Sequence, residues 1–122
     1  MSTQAEAPAT VAWTDLTVPD AERIRDYYAA VVGWSFEPHD MGEYADFSMT
    51  TQSGQRVAGI CFARGVNADV PPVWIPYFAV GDLEAAVARA VELGGEVVSG
   101  PRAGFCIIRD PAGAVAALYQ QP

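Results

Sequence analysis

Few side chains in this chain could do chemistry, and two of them stand 62 residues apart in matching contexts. Asp15 lies in Trp13-Thr14-Asp15-Leu16-Thr17-Val18, and Tyr77 lies in Ile75-Pro76-Tyr77-Phe78-Ala79-Val80. A carboxylate in an apolar pocket is held back from ionising, so Asp15 is a candidate general base or an anchor for a donor on a ligand. Tyr77 is a candidate acid or hydrogen-bond partner for it. The plainer alternatives are an Asp15 that is partly solvated or is paired with an Arg such as Arg109 or Arg102, and a tyrosine that only packs. The lone histidine, His39, falls in His39-Asp40-Met41-Gly42, a predicted loop, and reads as a surface residue or a group at a pocket rim. Cys61 and Cys106 sit in apolar runs and read as reduced core thiols. No linear Ser-His-Asp, Cys-His or phosphate-loop motif is visible.

The elements that must position these residues repeat. Leu16 matches Phe78, Val18 matches Val80, Asp20 matches Asp82 and Gly33 matches Gly95, all 62 residues apart. In the first half a strand over Val11–Val18 runs into Pro19-Asp20, where Asp20 is a good N-cap. Ile24, Tyr27, Tyr28 and Val31 then recur at helical spacing, and Gly33 stops the helix. Trp34–Glu37, Tyr44–Thr50 and Arg56–Phe62 read as strands, the last two joined by a turn at Gln52-Ser53-Gly54-Gln55. The pattern restarts at Trp74. A strand to Val80, a helix from Asp82 to about Leu93, a short strand Glu96–Val98, a loop at Gly100–Ala103, and strands Phe105–Arg109 and Ala114–Tyr119 follow. Val57-Ala58-Gly59-Ile60 also matches Val115-Ala116-Ala117-Leu118. The expected organisation is a flexible tail over residues 1–10 and a single domain over 11–121. Within it the first module spans about 11–63, a linker 64–73, and the second module about 74–120. A pair of ferredoxin-like βαβ units is the competing topology, but it leaves the third strand after each helix unexplained.

The composition narrows the partners. The chain has 122 residues, 51% of them apolar, and a formal charge of −8. Such a chain folds around a real core, burying roughly 65% of its extended surface. The acidity argues against nucleic acid, which needs clustered Lys and Arg, and against an anionic membrane surface. No segment approaches the roughly 18 apolar residues of a membrane span. Met1–Glu6 has neither a basic nor an apolar signal region, so a cytoplasmic location is the expectation.

The arrangement resembles the vicinal oxygen chelate superfamily, the glyoxalase/bleomycin-resistance/extradiol-dioxygenase fold. The residues that carry the resemblance are Asp15–Asp20, Tyr27–Trp34, Tyr77–Ala86, Leu93-Gly94-Gly95 and Asp110-Pro111-Ala112-Gly113. The resemblance implies an α+β fold in which two βαβββ modules form a curved, mostly antiparallel sheet around a cavity, with the helices outside and a homodimer as the common assembly. Metal-dependent members hold a metal with four side chains on the cavity wall. The corresponding positions here are Trp13, Gly59, Ile75 and Ala117, none of which can coordinate. The resemblance therefore implies no metal and no cofactor in this chain.

If Trp13 faces that cavity, strand alternation brings Asp15 and Thr17 with it and turns Leu16 and Val18 toward the helix. The same logic places Ile75, Tyr77 and Ala79, then Gly59 and Cys61, then Ala117 and Tyr119, on the cavity wall. Phe47 and Trp74 complete the expected ligand-binding set as aromatic surfaces, on an otherwise mostly apolar wall. The function expected on this basis is binding of a small apolar or aromatic organic molecule without a metal. The alternative is a metal-independent isomerase, lyase or cyclase of secondary metabolism that uses Asp15 and Tyr77.

Overall fold

The computed structural model describes residues 7–121. Among them the chain is α+β, with two βαβββ modules in sequence: β1 (Val11–Val18), α1 (Ala21–Val32), β2 (Ser35–Asp40), β3 (Ala45–Thr50), β4 (Arg56–Phe62), then β5 (Ile75–Ala79), α2 (Leu83–Glu92), β6 (Glu96–Arg102), β7 (Phe105–Arg109) and β8 (Val115–Tyr119). The residues group into two compact units. The first is Thr14–Trp74, and the second joins Ile75 onward to the stretch that ends at Trp13. No helix among the described residues is long and apolar enough to cross a membrane.

In the first unit the strands lie in the order β2-β3-β4-β1, antiparallel except for the parallel pair β4–β1. The second unit repeats the pattern as β6-β7-β8-β5, with β8–β5 parallel. Register explains the core of the first unit. Leu16 and Phe47 both pair with Ile60, and Met49 pairs with Ala58, so these side chains share one face. With Val18 and Ala21 they form a buried cluster, and Ile24, Tyr28, Trp34 and Trp74 pack against it. The apolar positions of α1 therefore have a matching apolar sheet face to cover.

The two helix starts differ. Asp82 caps α2, its carboxylate accepting the Ala85 N–H at 3.1 Å. Asp20, expected to do the same, makes no capping bond and instead pairs with the exposed Arg23 at 2.7 Å. Asp82→Ala is therefore expected to cost about 1 kcal/mol in a urea titration. Asp20→Ala should change stability by less than about 0.5 kcal/mol. Equal losses would contradict this distinction.

Three boundaries depart from the sequence expectation. Strand β2 runs through Asp40, so His39 is a strand residue and not part of a loop. Pro38 is tolerated within it because β2 is the edge strand of its unit. Strand β6 continues to Arg102, through the stretch expected to be a loop. The turn is compressed into Ala103 and Gly104, both at positive φ (51° and 83°), as a two-residue hairpin requires. At the N-terminus, residues 1–6 of the expected tail lie outside the described residues. Ala9 and Thr10 are tied down: the Ala9 N–H reaches the Ala79 carbonyl at 2.7 Å, and the Ala79 N–H reaches the Thr10 carbonyl at 2.8 Å.

Candidate functional site

The face of the first unit opposite α1 is polar. Register sets Asp15 opposite Gly59, which pairs with Ser48, which pairs with Glu37. In the next row Thr17 pairs with Cys61, and Asp46 pairs with His39. Thr17, Ser48 and Thr50 are the buried polar residues among those described, and by strand alternation all three stand on this face. Around them Asp15, Asp46 and Cys61 are half-buried and His39 is exposed. Buried polar side chains are more informative than buried apolar ones, because each needs a partner or a purpose.

The groups on this face are close enough to act on one another. His39 Nε2 lies 2.6 Å from Ser48 Oγ. Asp46 Oδ1 accepts the Phe62 N–H at 2.9 Å. Burial holds the Asp46 carboxyl above the ordinary aspartate range, against the opposing pull of the Phe62 N–H, the His39 ring and the Cys61 thiol. Burial likewise pushes the Cys61 thiol far up, and the charges of Asp15 and Asp46 on either side add to it. Cys61 is thus a neutral thiol between two carboxylates, not a nucleophile. Both cysteines are free.

The raised Asp46 value fixes the sign of a pH effect. The folded chain holds this proton more tightly than the unfolded chain does, so the associated stability is present at low pH. It is lost as pH rises through the folded value. Asn keeps an oxygen for the Phe62 N–H but carries no charge. Asp46→Asn is therefore expected to raise the Tm at pH 7, with the gain shrinking toward pH 4. A lower Tm at pH 7 would show that the carboxylate charge stabilises the fold.

The corresponding face of the second unit is apolar and aromatic. Tyr77 pairs with Ala117, which pairs with Ile107, and Ala79 pairs with Tyr119, which pairs with Phe105. The Tyr77 and Phe105 rings lie 5.8 Å apart, and the Arg102 guanidinium stands over Phe105. Ile75 and Ala117 are buried at 1% and 0% exposure.

Two residues of the expected ligand-binding set stand elsewhere. Phe47 shares its row with Ile60 and Leu16, so it belongs to the core beneath α1, where Arg25 lies over its ring. Trp74 packs edge-on against Tyr28 at 5.1 Å, and its indole N–H donates to the Tyr28 hydroxyl at 3.1 Å. It lines a groove of about 350 Å³ beside α1 with Leu16, Val18, Ile24, Tyr27 and Tyr28. Trp13 is half-buried at the end of the stretch grouped with the second unit. Conversely, Asp46, Ser48 and Thr50 were not expected at the site, and the first unit's face is polar where a mostly apolar wall was expected.

The four positions at which the resemblance implies metal ligands offer no donor atom in their side chains. Among the described residues, no three His, Cys, Asp or Glu side chains converge as a metal site. The residues present do not fit a metal of that kind.

Comparison with known proteins agrees with the topology. Residues 12–119 match the model of a family described as a glyoxalase-like domain. "Putative glyoxylase CFP32" of Mycobacterium bovis is 32% identical over 115 residues, covering 88% of this chain and 44% of that protein. "Anthracycline biosynthesis protein DnrV" of Streptomyces peucetius is 30% identical over 135 residues, covering 94% of this chain and 48% of that protein. The chain spans a little under half the length of these curated relatives. A glyoxalase/bleomycin resistance protein/dioxygenase superfamily member from Vibrio splendidus is similar in structure, with a TM-score of 0.53 at 14% identity, covering 89% of this chain and 97% of that one. Methylmalonyl-CoA epimerase from Mycobacterium tuberculosis is also similar, with a TM-score of 0.54 at 15% identity, covering 89% and 85%. At such identities these likenesses concern the fold alone.

Proposed function

The chain belongs to the glyoxalase-like domain family, and on that footing we propose that it binds a small organic molecule without a metal, on the polar sheet face of the first unit. The observation that carries this reading is the concentration there of Thr17, Ser48 and Thr50, buried, beside the accessible groups Asp15, Asp46, Cys61 and His39. Sparse, fixed polar groups orient a ligand, while its apolar body supplies most of the affinity. Relatives named for anthracycline biosynthesis make a fused aromatic polyketide a suitable first probe.

A second reading is a metal-independent enzyme in which Asp15 is the base. It is favoured by the placement of Asp15, a half-buried carboxylate set in register beside the buried Gly59.

A fluorescence titration with an anthracycline, in the presence of a chelator, tests the binding reading. Saturable binding at one site per chain is expected, and its absence across a panel of fused aromatic probes would count against it. Asp15→Asn separates the two readings. Under simple binding it alters affinity only, whereas under the enzyme reading it removes turnover, typically by roughly 10²-fold or more, while affinity stays within a few-fold.

A further inference from the structure

Resting on the reading that the polar face holds the ligand, we propose that His39 is the acid–base group of that face and Ser48 the residue that positions it. The site is assembled by register and not by proximity in sequence. Glu37 pairs with Ser48 and His39 with Asp46, so the imidazole reaches diagonally across the β2–β3 pair to the Ser48 hydroxyl, 2.6 Å away. Ser48 is 9% exposed, in the strand between β2 and β4, so it is the fixed partner. His39, on the edge strand, is exposed and is the partner a ligand can reach.

A hydroxyl both gives and accepts a hydrogen bond. If Ser48 donates to Nε2, the imidazole carries its proton on Nδ1 and can act as an acid there. If Ser48 accepts from Nε2, Nδ1 holds a lone pair and can act as a base. Rotation of one hydroxyl thus accommodates either tautomer while Nε2 stays in place. Asp46 stands directly opposite His39 on β3, on the same face of the sheet. A histidine held in this way suits proton transfer at carbon or oxygen acids. With an enolisable carbonyl, Nδ1 takes the α-proton and the C–H electron pair moves into the C–C bond of the enolate, its charge resting on the carbonyl oxygen. The same nitrogen then returns a proton to carbon. No oxidant, reductant or metal enters the balance.

The test follows α-hydrogen exchange of 2-tetralone, a fused aromatic ketone, in D2O with the full chain and a chelator, by proton NMR. Binding is read separately, from the chain's own amide resonances. The expected result is perturbation at Thr17, Ser48, Thr50 and Cys61 together with exchange faster than buffer. His39→Gln should lower that exchange roughly 10²-fold when compared at equal ligand occupancy. Ser48→Ala should lower it roughly 10-fold, with recovery in Ser48→Thr. A purely structural Ser48 would lower the Tm in Ser48→Ala but leave exchange per folded chain unchanged, which would overturn its positioning role. If 2-tetralone binds this face and is not exchanged faster than in buffer, or if His39→Gln exchanges it as the wild type does, the assignment of His39 is wrong and the binding reading stands. If it perturbs none of those four resonances, the binding reading fails, and the assignment of His39 fails with it.

Discussion

Ile60→Ala is expected to destabilise the chain by about 3–4 kcal/mol in reversible urea unfolding. Ile60 is fully buried, and it sits where the rows from β1 and β3 meet, paired with Leu16 on one side and Phe47 on the other. Nothing around it can collapse cheaply. Leu16, Phe47 and Met49 are each anchored in a strand, and the helix above contributes Ile24 and Tyr28 to the same cluster. The loss therefore combines the transfer free energy of the deleted carbons with a cavity that persists. A cost below about 1 kcal/mol would mean that the face beneath α1 is not the close-packed core described above.

Ala117→Leu is expected to cost about 1–3 kcal/mol through overpacking. Ala117 has 0% exposure and lies between Tyr77 on β5 and Ile107 on β7, and Ile107 is itself only 3% exposed. Extra methylene groups have no free volume to enter, so a strand or a rotamer must shift. This substitution separates core from site. If the small residue at 117 leaves room for a ligand, Ala117→Leu is stability-neutral and weakens binding. If it is packed, the substitution lowers the Tm. The burial of Ile75, Ile107 and Ala117 supports the second outcome.

Much of the fold was legible because its signals are local. Gly33 ends α1 in the left-handed region, at a φ of 85°, with its N–H on the Ala29 carbonyl, as a glycine after a helical stripe leads one to expect. The 62-residue repeat marked the two modules, and alternation from Leu16 and Val18 placed Asp15 and Thr17 on one side of β1. Residues on a partner strand were harder to place. Phe47 looked like a ligand surface, yet its parity with Met49 is a core signal. Beside Asp15 and Thr17, the complementary parity of Asp46, Ser48 and Thr50 was the trace in the sequence of the polar face. His39 was expected in a loop, and it follows Pro38, a residue that sheets admit mainly at an edge. Only pairing with Asp46 shows an edge strand that tolerates it, and only that pairing brings the ring to Ser48. Asp20 does not cap: its backbone, at φ −112° and ψ 60°, lies off the extended conformation that Asp82 adopts, and its carboxylate turns to Arg23.

Amide chemical-shift mapping of the full chain during titration with an anthracycline tests whether the ligand lies on the first unit's sheet. Two places in that unit compete for an aromatic molecule. One is the polar face, and the other is the groove beside α1. With the ligand on the polar face, saturable shifts are expected at Thr17, Ser48, Thr50 and Cys61. Shifts confined to Tyr27, Tyr28 and Trp74 would contradict that placement.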